Sequence, residues 1–199
     1  MTLLPKEAAM TTIPHPRPRP RSLALVVTLA LAVLALVAPA RASTPATESC
    51  SVTWGSLPKG GTPAPVPAAT VAAVRAGTHA CYDRLVVDVA GTPAFSSWSA
   101  RYVDAVTADP SGQPVPLRGG AFLQISLGAG GSLTTPSRQL ADVTGYPTFR
   151  QVAGAGAFEG VSSIGLGVRA RLPFRVLTLT GIPGSANGTR VVVDVAHHW

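Results

Sequence analysis

From residue 71 onward the chain is written in short runs of alternating apolar and polar positions, separated by Gly, Pro, Asn and Asp. Alternation at period two marks a half-buried strand, whereas an amphipathic helix buries every third or fourth position. The pattern predicts eight strands, over 71–76, 83–90, 98–107, 121–127, 149–153, 161–168, 174–180 and 190–197. Turn-forming stretches such as 109–112 (Asp-Pro-Ser-Gly) and 184–188 (Gly-Ser-Ala-Asn-Gly) separate them, and Asn187-Gly188 is a strong tight-turn signal. No segment carries a helical stripe. Short strands with turns between them predict an all-β fold, an antiparallel β-sandwich or barrel.

One internal repeat sharpens this expectation. Residues 83–90 (Asp-Arg-Leu-Val-Val-Asp-Val-Ala) match residues 189–196 (Thr-Arg-Val-Val-Val-Asp-Val-Ala) at six of eight positions, enough to suggest equivalent places in a pseudo-symmetric sandwich. In a strand, alternate residues share a face. Leu85, Val87 and Val89 would point inward with Val191, Val193 and Val195, leaving Arg84, Asp88, Arg190 and Asp194 outside. As antiparallel neighbours the two strands would set Arg84 against Asp194 and Arg190 against Asp88. Exposed pairs of this kind are worth only ~0.2–1 kcal/mol each, so they would fix register more than they stabilise.

The first 69 residues have a different composition. Residues 15–21 (His-Pro-Arg-Pro-Arg-Pro-Arg) form a positive region, 23–38 are apolar except for Thr28, and Ala40-Arg41-Ala42 is a small-x-small cleavage pattern. Residues 1–42 therefore read as a signal peptide, translated from Met1 or from Met10. The alternative, a retained anchor, has an apolar core shorter than the ~20 residues that span a bilayer. Residues 43–69 are rich in Pro, Ala and Thr and read as a linker, with a short strand near 50–55 tethered by a disulfide. Residues 70–199 form the folded domain.

Charge changes meaning once the leader is set aside. The full chain carries 16 basic and 9 acidic residues, net +7, which points toward nucleic acid. Lys6, Arg17, Arg19, Arg21, Arg41 and Glu7 belong to the leader, and the remaining 11 basic and 8 acidic groups leave only +3. With no basic run, that is a weak footprint for nucleic acid. Both cysteines, Cys50 and Cys81, lie in the exported part, and export with an even count predicts one disulfide rather than a reactive thiol.

Several segments, taken in order, resemble one family: Val52-x-Trp54-Gly55-Ser56, 79–88 (His-Ala-Cys-Tyr-Asp-Arg-Leu-Val-Val-Asp), 116–123 (Pro-Leu-Arg-Gly-Gly-Ala-x-Leu), 158–161 (Phe-Glu-Gly-Val), 165–176 (Gly-Leu-Gly-Val-Arg-Ala-Arg-Leu-Pro-Phe-Arg-Val) and 192–199 (Val-Val-Asp-Val-Ala-His-His-Trp). Together they resemble the AMIN-like domain of secreted and lipid-anchored proteins from high-GC Gram-positive bacteria, over roughly residues 50–199. The resemblance implies a β-sandwich related to the AMIN domain of cell-wall amidases. It also implies a module that binds the envelope rather than a catalyst. The lipobox cysteine of many members is missing, and so is an amidase domain.

Candidate chemistry is sparse. Beyond the leader the histidines are His79, His197 and His198, and a zinc site would require His79 to meet one of the other two beside a carboxylate such as Asp83. No nucleophile-elbow motif occurs. The glycines of 154–160 lack the Lys-Ser/Thr of a phosphate loop and read as a plain connection. Neither a catalytic residue, a metal nor a cofactor is expected. Arginine is the distinctive feature: past residue 42 there are ten arginines and only Lys59 as lysine, and guanidinium suits bidentate capture of carboxylate or phosphate. Arg169 and Arg171, placed on one face of a strand, together with Arg175 and Arg118, are the candidate ligand contacts. Trp54, Trp98, Tyr102 and Trp199 form either a sugar-stacking surface or part of the core, and Trp199 is expected to pack beside the last strand. The whole pattern points to a secreted, non-catalytic protein in contact with peptidoglycan or an anionic wall polymer. The alternative is an interaction module that regulates a secreted wall hydrolase.

Overall fold

The computed structural model describes residues 50–131, 133 and 136–199; the expected leader and residues 43–49 lie outside them. The described residues are all β, without a helix. The strands are β1 (Lys59–Gly60), β2 (Thr70–Thr78), β3 (Tyr82–Ala90), β4 (Trp98–Val103), β5 (Ala121–Leu127), β6 (Gly130–Gly131), β7 (Gln139–Ala141), β8 (Phe149–Phe158), β9 (Val161–Val168), β10 (Phe174–Ile182) and β11 (Ser185–Ala196). They form two sheets, one ordered β1-β4-β5-β9-β8-β7 and the other β10-β11-β3-β2-β6. All pairings are antiparallel except β2 with β6.

Alternation works as the sequence predicts in the central strands. Leu85, Val87 and Val89 of β3, Val191, Val193 and Val195 of β11, and Leu123, Ile125 and Leu127 of β5 lie in one core with Ile164, Leu166, Phe149 and Phe174. Each buried side chain of this size contributes about 1.5–3 kcal/mol relative to exposure. The two repeats are antiparallel neighbours, with Arg84 opposite Asp194, Val86 opposite Val192 and Asp88 opposite Arg190. A local two-fold axis through the Val86–Val192 pair therefore relates them.

The tight turn expected at Asn187-Gly188 lies instead at Pro183-Gly184, because β11 begins at Ser185 and pairs it with Ile182. Where β4 and β8 differ from expectation, an overlying segment is the cause. The strand expected over 98–107 stops at Val103. The following residues turn back across the outer face of the six-stranded sheet, where Val106, Ala108 and Val115 bury a small second core against Ala155 of β8. This cover explains why β8 runs through the glycines at 154–156 that read as a connecting loop. A Cβ on Gly156 (φ +97°) would lie 2.4 Å from the Asp109 carbonyl oxygen, and one on Gly167 would lie 2.0 Å from that of Arg118. Only glycine lets the covering backbone come so close.

Residues 50–60 are the other addition. A disulfide joins Cys50 to Cys81 just before β3. Residues 50–55 form no strand; the strap pairs instead at β1, where Lys59 lies opposite Ala100 of β4. Along its length Gly55 accepts a hydrogen bond from the Phe174 amide at 2.9 Å. The strap thus passes from one sheet to the other around the start of β10.

Candidate functional site

One end of the sandwich collects the starts of β3, β5, β8 and β10 and the ends of β2, β4, β9 and β11. Buried polar groups lock the two sheets together there. Asp83, fully buried on β3, accepts hydrogen bonds from the Thr148 and Phe149 amides at 2.7 and 2.9 Å, and from the Thr78 hydroxyl at 2.9 Å. The buried His197 ring stands 3.1 Å from the same carboxylate through Nε2. His79 does not join them: it stacks on Tyr82 at 4.5 Å between ring centres, so the three groups needed for a zinc site do not converge. Among the described residues no cluster of three or more His, Cys, Asp or Glu is arranged to hold a metal ion.

The outer face of the five-stranded sheet carries a second polar centre at this end. Asp194 is fully buried, and both oxygens are used: Arg84 Nε donates to Oδ1 at 2.6 Å, while Arg84 and Arg175 donate to Oδ2 at 2.9 and 2.8 Å. The Arg175 guanidinium lies over the Trp54 ring at 4.3 Å and near Tyr82 at 5.5 Å, and Arg84 also lies over Tyr82. Trp54 comes from the strap, so the strap supplies the outer layer over Arg175, which itself covers Asp194. Hydrogen bonding to Asp194 raises the Arg84 pKa above its ordinary value, against the opposing effect of burial. The two-fold mate of this centre is weaker. Arg190 lies opposite Asp88 but turns to the Gly181 and Thr180 carbonyls, and Asp88 pairs instead with the half-exposed Arg75. These carboxylates are buried acceptors, not the exposed pairs that strand alternation suggested.

Arg169 and Arg171 occupy the connection after β9, not a strand face, because β9 ends at Val168. Arg169 donates to the His197 carbonyl. Arg171 donates to the Ser56 hydroxyl and carbonyl at 3.2 Å each and lies over the Tyr102 ring. Tyr102 anchors this connection from below: its hydroxyl donates to the Leu172 carbonyl at 2.9 Å and accepts from the Leu172 amide at 3.1 Å. Burial raises the pKa of that phenol. Arg118 follows the same end, in the segment beside Gly167, and with Arg150 and Tyr146 it lines an open cavity of about 350 Å³. Arg150, which the sequence offered no reason to single out, is held by the Tyr146, Phe149 and Pro147 carbonyls.

The four sequence-derived arginines thus share one end, joined by Arg84 and Arg150. The side chains of Arg118, Arg169 and Arg171 are exposed. Each guanidinium has five donors, and the carbonyl and hydroxyl contacts of Arg169 and Arg171 use only one or two of them. The aromatic residues do not form one stacking surface. Trp98 and Tyr102 pack against the core, Trp54 covers Arg175, and Trp199 is 71% exposed, held only by its indole N–H on the Arg171 carbonyl. The last strand stops at Ala196, which removes the neighbour that Trp199 was expected to pack against.

Neither the curated proteins nor the solved structures contain a match to this chain. A family model, described as the AMIN-like domain, matches residues 69–197, from just before β2 to just after β11. With well over half of its length matched, this chain belongs to the AMIN-like domain family.

Proposed function

We propose that the chain is an exported, non-catalytic module that binds the cell envelope, with peptidoglycan or an associated anionic polymer as ligand and the arginine-rich end as its contact surface. Membership of the AMIN-like family places it in a cell-wall-related context. The leader at 1–42 belongs to the same proposal, taking the domain out of the cell; of the segment read as a linker, residues 50–69 pack on the sandwich and add no reach. The observation that carries the reading is the grouping of Arg118, Arg169 and Arg171, exposed at one end, where Asp83 and Asp194 are buried and already bonded and the exposed carboxylates are Asp104, beside Arg171, and Asp142, near Arg118. The Arg169 and Arg171 guanidiniums, held in place by their own hydrogen bonds, lose less rotamer freedom on meeting a carboxylate or phosphate.

Sedimentation with isolated cell walls tests this. The purified chain should pellet with walls at low salt and be released as salt rises, because exposed charge contacts are screened. The double variant Arg118→Ala/Arg169→Ala should bind about two- to thirtyfold more weakly, at ~0.2–1 kcal/mol for each of two exposed ion pairs. Equal pelleting by variant and parent would remove this surface from consideration. A chain that stays in the supernatant but is retained by an immobilised wall hydrolase would show a protein partner instead.

A further inference from the structure

Three of the four sheet edges are short: β1 and β6 have two residues each and β7 has three. The fourth, β10, has nine and, among the described residues, pairs only with β11. Two hydrogen bonds fix which of its backbone groups face outward. The Phe174 amide donates to Gly55 of the strap, away from β11, whereas the Pro173 carbonyl accepts from Ala196 of β11. Antiparallel strands turn alternate residues to opposite neighbours. Val176, Thr178 and Thr180 therefore present their N–H and C=O groups to the free edge. No charged residue lies between Arg175 and Arg190, and Leu177 and Leu179 are 37% and 40% exposed on the outer face. Natural edges are normally shielded by charge, proline or a bulge within the strand, and this stretch has none of them before Gly181.

We propose that β10 pairs with β10 of a second copy, antiparallel about Thr178, to join the two five-stranded sheets. The three outward residues are self-complementary about that centre. Thr178 exchanges both hydrogen bonds with its counterpart, and Val176 exchanges both with Thr180 of the other copy, whose carbonyl already accepts from Arg190 at 3.3 Å and uses its second lone pair for the new bond. Leu177 falls opposite the other copy's Leu179, covering apolar surface that each copy leaves open alone. Arg175, the only charged residue of the strand, falls opposite Gly181, where the Arg190 guanidinium on the Gly181 carbonyl is the like charge it approaches, and its own pairing with Asp194 offsets that approach. The window is bounded at both ends. Gly55 takes the edge at Phe174, and the irregularity between Thr180 and Ile182 ends the ladder at the other side. A ladder this short sits at the low end of specific interfaces, so a weak, reversible dimer is expected, dissociating at about micromolar concentrations.

Sedimentation velocity of the purified chain over a concentration series reads this directly. The expected result is a concentration-dependent dimer. Thr178→Pro removes the central donor without touching the β11 ladder, because that N–H faces outward. Thr178→Lys sets two like charges against each other. Both should weaken dimerisation at least tenfold while leaving the thermal midpoint unchanged. Thr178→Cys should form a covalent dimer on mild oxidation, since a directly opposed bonded pair has a Cα separation of about 5.5 Å, suited to a disulfide. Leu177→Cys, which faces residue 179, should crosslink far less. A chain that remains monomeric into the hundreds of micromolar, on the order of a hundredfold above the expected range, overturns the proposal. So does a dimer indifferent to both Thr178→Pro and Thr178→Lys. Slow amide exchange at Val176, Thr178 and Thr180 in a monomer would overturn it too, by showing that another strand fills the edge.

Discussion

Asp194 shows how one residue can change character between sequence and fold. Its spacing from Arg190 repeats that of Asp88 from Arg84, and the repeat places it on the outer sheet face, where a carboxylate is ordinarily hydrated. It is covered by Arg84 and Arg175, and Arg175 is covered in turn by Trp54, 140 positions earlier in the chain than Asp194. No local pattern carries that information. Because the carboxylate is buried and bonded three times, its loss strands two guanidiniums whose geometry was built around it. Asp194→Asn should therefore lower stability by about 3 kcal/mol, at the lower end for a broken buried pair because Arg84 and Arg175 still reach water. Asp88→Asn should cost under about 1 kcal/mol, since its half-exposed Arg75 is readily rehydrated. Urea unfolding of both variants separates the two centres, and similar losses would show that burial of Asp194 contributes nothing beyond the pair itself.

At the scale of strands and covering segments, period-two alternation located every long strand, because each buries one face against the common core. It failed where both faces are covered. Under the segment that follows β4, the outward positions of β8 and β9 hold Gly, Ser and Ala, so hydrophobic alternation gives way to small residues, and the glycines looked like a loop. A run of small residues on one face of a strand is the sign of a close backbone cover. Two neighbouring glycines test this. A Cβ on Gly167 meets the Arg118 carbonyl at 2.0 Å, and backbone cannot rotate away. A Cβ on Gly165 meets the end of the Leu117 side chain at 2.7 Å, which can change rotamer. Gly167→Ala should thus cost about 3 kcal/mol or more, and Gly165→Ala about 1 kcal/mol, within the usual range for overpacking. Proteolysis within residues 104–120 should accelerate in Gly167→Ala alone. Equal sensitivity of the two variants would mean that the cover shifts freely over the sheet.

For the whole molecule, the disulfide connects stability to the proposed binding surface. Its existence was legible from an even count of cysteines in a chain read as exported, and the prominence of arginine was legible too, but not its gathering at one end. The roles of these arginines were not legible, because Arg175 stacks on the strap's Trp54 and Arg171 bonds to its Ser56, contacts across more than a hundred residues. Cys50 and Cys81 are 31 positions apart, and closing such a loop contributes about 3.5 kcal/mol in the chain-entropy model. Cys50→Ser/Cys81→Ser should lose about that much stability. It should also lose something a purely entropic crosslink would not. Freed at Cys50, the strap retains its pairing at β1 but no longer holds Trp54 over Arg175 or Ser56 against Arg171. Those guanidiniums then regain rotamer freedom. At a temperature where circular dichroism shows the sheets intact, the double variant should pellet with cell walls more weakly than the parent, whereas Gly165→Ala, remote from the strap, should pellet like the parent. Undiminished wall binding by the disulfide-free, folded chain would separate the strap from the ligand surface and leave Arg118 and its neighbour Arg150 as the centre of any contact with the wall.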